Sequence, residues 1–138
     1  IPFDIVARVY PAINSGSLIS SSIDFDDGTG PKWDALVFSD TTPGGSDLTY
    51  QIQYLTSTSS WALIPDVDLT GNSTGTSTSP YSLQNLNRTT YNTLRILANF
   101  ICSGGTCPTL QDWTLDWSEG IVVSGTVKEL NQSSVVSG

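Results

Sequence analysis

Two cysteines, three Asn-X-Ser/Thr sequons, one acidic turn and a group of aromatic residues are where this chain could do chemistry. Cys102 and Cys107 stand five apart around Ser-Gly-Gly-Thr. A loop of that length places its two flanking residues opposite each other, within reach of a disulfide. So small a ring is worth about 2 kcal/mol by loop entropy. The alternative is a pair of free thiols beside a turn. A zinc site is not expected, because two Cys and no His do not fill four positions.

The sequons are Asn72-Ser73-Thr74, Asn87-Arg88-Thr89 and Asn131-Gln132-Ser133. Each falls in a predicted loop or turn, within reach of a glycosyltransferase. Such triplets also arise by chance in a chain so rich in Asn, Ser and Thr. Asp24, Asp26 and Asp27 beside Gly28 form an oxygen-rich turn, which makes calcium the one candidate cofactor. The spacing matches no EF-hand, and Asp-Gly is also ordinary turn chemistry. Asp66 and Asp68 are expected to cap turns. Trp61, Trp113 and Trp117, with Tyr50 and Tyr54, could build a platform for stacking sugars. Trp113 and Trp117 share a face with Leu115, however, and that favours burial. Arg95 lies on the face opposite Leu94 and Ile96, where a surface carboxylate is its expected partner. A glycosidase needs two carboxylates in a cleft, and no motif singles out a pair. Serine nucleophiles lack a histidine base. No enzyme is expected.

Strands must hold these groups. Helical periodicity is nearly absent. Residues 47–55 alternate through Leu48, Tyr50, Ile52 and Tyr54, and residues 94–100 through Leu94, Ile96, Ala98 and Phe100. Residues 113–117 put Trp113, Leu115 and Trp117 on one face, with Gln111 at its near end. The two last stretches read as a hairpin clipped by Cys102 and Cys107. Residues 33–38 (WDALVF) are apolar on both faces and predict a central strand. Residues 17–25 alternate through Ile19, Ile23 and Phe25, and 61–64 form a short strand stopped by Pro65. Turn residues separate them at 26–30, 43–45 and 71–72, and residues 70–80 read as one long polar loop. The expected fold class is all-β, a two-sheet antiparallel β-sandwich of jelly-roll type.

The chain has 138 residues, enough for one domain with a core. Thirteen acidic against five basic residues give a net charge of −8, which disfavours nucleic acid and anionic membranes. No apolar run approaches a membrane span. The absence of His removes the commonest general base, and an oxidising compartment accounts for the absence of Met. Beginning at Ile1, the chain is expected to be a processed product or a piece of a longer polypeptide. Residues 1–10 (IPFDIVARVY) and 121–130 (IVVSGTVKEL) are β-rich and would leave sticky edges in a monomer. Either they complete the domain's own sheets, or one inserts into a neighbouring subunit.

The runs 49–75, 91–100 and 107–117 resemble a β-sandwich domain of large bacterial and archaeal surface proteins. The matching residues are Phe25 to Gly28 with Trp33, Leu48 to Tyr54, Trp61, Asp66 to Leu69, Gly71-Asn72-Ser73, Leu94-Arg95-Ile96, Pro108 and Asp112-Trp113. The resemblance spans about residues 17–117. Asp27 is inserted in the first motif, and the CSGGTC stretch departs from the pattern. It implies a jelly-roll module of the discoidin or carbohydrate-binding kind, often found in tandem. Residues 121–130 resemble the first strand of small repeats that stack in surface stalks.

The sequence therefore predicts a β-sandwich over 1–120 and a joining or complementing strand within 121–138. The expected function is a structural subunit of an extracellular filament, pilus-like fibre or stalk. Its partners would be copies of itself through β-strand contacts, with strand donation as one route. The alternative is a cell-surface carbohydrate-binding or adhesin module whose partners are glycans.

Overall fold

The structure, a computed structural model, describes residues 2–5, 15–25 and 31–119. Nine strands lie within them: β1 (Pro2–Ile5), β2 (Gly16–Ile19), β3 (Ile23–Asp24), β4 (Pro31–Thr41), β5 (Asp47–Leu55), β6 (Trp61–Leu63), β7 (Tyr81–Ser82), β8 (Thr93–Ile101) and β9 (Thr109–Glu119). Sheet I runs β1-β9-β4-β7. Sheet II runs β2-β8-β5-β6, with β3 also on β8. Every pairing among these strands is antiparallel. This is the predicted all-β sandwich.

Its backbone is one long ribbon bent over both sheets. β4 pairs with β9 in sheet I, and β5 pairs with β8 in sheet II. Both strands of the ribbon therefore change sheet at the same corner, in the manner of a jelly roll. One turns through a short 3-10 segment, Pro43–Gly45, and the other through 102–108. The expected β8–β9 hairpin does not exist. The two strands lie in different sheets, and each finds its long partner elsewhere. Alternation shows that a strand has a buried side but does not show which strand lies beside it.

Two irregularities adjust the pattern. The β4–β9 register shifts between Trp33 and Ala35 and again between Ser39 and Asp40. An extra residue in one strand flips the facing of every residue beyond it. Trp33 and Leu36, three apart, are therefore both buried, as are Leu110 and Trp113. This is why 33–38 reads as apolar on both faces. It also takes the exposed Gln111 off the inner face, where it donates to Thr41 Oγ1 at 2.9 Å.

The core lies between the sheets. Trp33, Leu36, Phe38, Trp113 and Leu115 from sheet I meet Leu48, Tyr50, Ile52, Leu94, Ile96 and Ala98 from sheet II. Phe38 stacks on Tyr50 at 3.7 Å between centroids, and Phe25 on Trp33 at 4.0 Å. The Trp33 indole N–H donates to the Tyr91 carbonyl at 2.6 Å. The stretch 17–25 is two short strands rather than one, and Ile19 is 48% exposed where burial was expected. Residues 70–80 are not simply a loop. Thr76 exchanges backbone hydrogen bonds with Tyr50 at 2.8 Å each way, and Ser79 Oγ accepts from the Phe38 N–H at 3.0 Å.

Candidate functional site

The bridged corner is the firmest of the predicted sites. Cys102 and Cys107 form a disulfide with Cα atoms 4.2 Å apart. Between them Ser103 and Thr106 exchange backbone hydrogen bonds of 2.8 and 3.0 Å. Gly104 and Gly105 both hold positive φ, 59° and 80°, which a two-residue turn of this hand demands. The bridge thus closes its own minute hairpin, not one made by β8 and β9. This turn packs against the other corner turn. A Cβ on Gly44 would lie 3.2 Å from Thr106, and one on Gly45 would lie 3.6 Å from Ser103. A small apolar groove of about 160 Å³ opens beside it, walled by β2 residues Gly16 to Leu18, Phe100, the bridge and Pro108.

The three sequons fare differently. Asn72 has no exposed surface. Its Oδ1 accepts from the Ile52 N–H at 2.7 Å, and its Nδ2 donates to the Ile52 and Ile64 carbonyls at 2.8 Å each. The side chain serves as a strand would, completing the edge of β5 just past β6. A glycan on Nδ2 would replace a bonded hydrogen and need room the core lacks, so the expected modification is corrected here to a structural role. Asn87 is exposed, and its Oδ1 accepts from the N–H groups of Thr89 and Thr90 at 2.9 and 3.2 Å in an Asx-type turn. Asn131 lies outside the described residues, as does the whole segment 121–138.

Of the acidic turn, Asp24 is described and Asp26 and Asp27 are not. Asp24 is exposed and accepts from the Thr93 hydroxyl at 2.8 Å. No cluster of three metal-ligating side chains occurs among the described residues. Asp24 borders an open polar depression of about 610 Å³ with Tyr54, Thr56, Thr90 and Asn92. Asp66 does hold a turn. Its Oδ2 accepts from the Ser73 hydroxyl at 2.6 Å and its Oδ1 from the Ser73 N–H at 2.7 Å, and these two bonds, the hydroxyl first, lower its pKa. Asp68 accepts from the Tyr91 hydroxyl.

The aromatic platform does not assemble. Trp113 and Tyr50 are core residues, and Tyr54 and Trp117 pack against that core. Trp61 sits apart, on the outer face of sheet II, opposite Leu55. Arg95 shares that face. Its guanidinium carbon lies 4.1 Å above the Trp61 ring, and its Nε donates to Gln53 Oε1 at 2.7 Å. The surface carboxylate expected beside Arg95 is replaced by an indole and an amide. Sequence periodicity places Arg95 and Gln53 outward, but it does not reveal that β6 brings Trp61 beneath the guanidinium.

The sheet edges are the remaining candidate. Among the described residues, β1 lies at the edge of sheet I and pairs with β9 alone, Phe3 opposite Leu115 and Ile5 opposite Trp113. Residues 2–5 therefore complete the domain's own sheet, which favours the first of the two alternatives for 1–10. Two buried polar atoms on β9, Trp113 Nε1 and Asp116 Oδ1, have no hydrogen-bond partner among the described residues. Both residues stand opposite the ends of β1. No described helix is long and apolar enough to cross a membrane.

Compared with known proteins, the chain matches no family, no curated sequence and no solved structure.

Proposed function

We propose that this chain is a non-catalytic structural subunit of an extracellular surface filament, joined by β-strand contacts between copies. The observation that carries this reading is β1. Among the described residues, these four complete sheet I through a ladder to one neighbour, β9. A strand held that way is replaceable by the same strand of another copy, which converts an edge into a joint. The disulfide accords with an oxidising, exported setting.

The test is deletion of residues 1–5. The shortened chain is expected to keep its near-ultraviolet dichroism, to lose ordered assembly, and to bind an added peptide of sequence 1–10. Assembly equal to that of the full chain, watched by electron microscopy, sinks strand exchange.

The second reading, a glycan-binding module, has one observation in its favour. The depression beside Tyr54 is lined by Thr56, Ser57, Thr89, Thr90, Asn92 and Asp24, groups suited to sugar hydroxyls. A glycan array decides it, with Tyr54→Ala as the variant that must lose binding.

A further inference from the structure

Two of the Asn-X-Thr sequons lie in described residues, and the fold treats them in opposite ways. At Asn72 the amide nitrogen is engaged by the Ile52 and Ile64 carbonyls, and the side chain has no exposed surface. The hydroxyl of its third residue, Thr74, donates to the Gly71 carbonyl at 3.1 Å. At Asn87 the amide is used the other way round. Its oxygen accepts from the Thr89 and Thr90 N–H groups at 2.9 and 3.2 Å, while Nδ2 has no partner among the described residues. Asn87 and Thr89 are both exposed, and the Thr89 hydroxyl also has no partner among the described residues.

The turn that presents Asn87 is anchored at both ends. Leu86 before it and Tyr91 after it are each 5% exposed. The Tyr91 N–H donates to the Asn87 carbonyl at 2.8 Å, and the Tyr91 carbonyl holds the Trp33 indole. Two bonds to Oδ1 fix the plane of the Asn87 amide and leave both Nδ2 hydrogens unused within it. The middle residue is Arg88, not the proline that would disable a sequon.

We propose that Asn87 is the N-glycosylation site of the described residues and that Asn72 carries no sugar in the folded protein. The co-reactant is a glycan activated as its polyprenyl phosphate or diphosphate, delivered by an oligosaccharyltransferase of the exporting cell. Nδ2 bonds to C1 of the first sugar as the bond from C1 to the phosphate oxygen breaks. One amide proton goes to a base of the transferase, the polyprenyl phosphate leaves, and nothing is oxidised or reduced. Oδ1 takes no part, so both bonds of the Asx-type turn survive. The same reaction at Asn72 replaces a hydrogen that is bonded to a buried carbonyl. A chain modified there before folding cannot complete the β5 edge, and one already folded offers no access. The fold therefore selects between two like motifs whenever the sugar is added.

The test is tandem mass spectrometry of the protein isolated from its natural source, digested with chymotrypsin and fragmented by electron transfer so that the sugar stays on its residue. The peptide ending at Tyr91 is expected to carry a sugar mass on Asn87, and the peptide containing Asn72 its bare mass. In the same host, Asn87→Gln and Thr89→Ala should each abolish the modification, and Thr89→Ser should retain it at lower occupancy. Near-ultraviolet dichroism should be unchanged in all three. Thr89→Ala keeps the backbone N–H that Asn87 Oδ1 accepts, so its loss of sugar reports recognition of the hydroxyl and not a lost turn. A bare Asn87 in the native protein overturns the assignment. So does sugar on Asn72, sugar on the Thr89 or Thr90 hydroxyl in place of Asn87, or an Asn87 glycan that persists in Thr89→Ala.

Discussion

The two lateral edges of this sandwich are finished by different means. On one side β6 and β7 are only three and two residues long. Two side chains and one isolated backbone bridge do the rest. Asn72 completes the β5 edge, Ser79 takes the Phe38 N–H, and Thr76 bridges to Tyr50. On the other side β1, β2 and β3 lie on β9 and β8 through backbone ladders. A side-chain plug satisfies donors and acceptors without offering a new row of them, so it ends a sheet. A backbone strand at an edge offers its own outer row and extends the invitation to pair. Among the described residues, the sandwich is thus closed on one side and open to pairing on the other.

The plug is where the largest effect is expected. Asn72→Ala strands the Ile52 N–H and the Ile64 carbonyl in the interior, at about 1–3 kcal/mol for each unmet group, while the Ile52 carbonyl keeps the Ile64 N–H at 3.2 Å. A loss of about 3–5 kcal/mol in urea unfolding is expected. A loss under about 1 kcal/mol would mean that the edge is held by β6 alone, and the contrast between the two sides would fail.

The second effect belongs to the open side, where the bridge lies beside β2. Cys102→Ser with Cys107→Ser should cost about 2 kcal/mol, the value for a ring this short. Hydrogen exchange sharpens the point. Protection should fall first in β2 and at the corner, and β6 should stay as it was.

The third and smallest is a response to alkali on the closed side. Burial, and then the Asp66 charge, push the Tyr81 phenol up to about 12. Burial, and then the bond to Asp68, push Tyr91 up to about 12. Tyr50, buried and bonded to Asp40, is raised further still. A phenol that holds its proton more tightly when folded contributes stability in full below pH 10, and loses it as pH climbs from 10 toward 12. The urea midpoint should therefore be level to about pH 9.5 and decline above it. Tyr81→Phe should soften the decline. A midpoint that falls between about pH 7 and 9 would point to other groups.

Much of this architecture is legible in the residues. Asp47–Leu55 is found at its predicted bounds, because its alternation is unbroken and Pro43-Gly44-Gly45 marks its start. The disulfide is legible in a spacing that only a tight turn can serve. Features that depend on partners distant in sequence escape. Alternation in 94–100 and 113–117 does not disclose that the two strands part company at the corner. Asn72 beside Gly71 reads as an ordinary turn, since nothing local distinguishes an amide facing water from one turned inward. Arg95 reads as a solvent charge because Trp61 reaches it only across β5. The bulges hide for the same reason. One extra residue inverts the pattern, and the inversion resembles a strand with two apolar faces.

The bent ribbon also governs how the chain comes to be folded. Its ladders join Trp33 to Trp117, Asp47 to Ile101 and Phe3 to Leu115, so almost no pairing is available to a short stretch by itself. The β5–β6 hairpin across residues 56–60 and the small disulfide ring at the corner are the exceptions. Topologies of such high contact order fold in milliseconds to seconds rather than microseconds. During that interval apolar strands are bare, and a nascent chain emerging among its own kind meets the edges of others before its own sheets are complete.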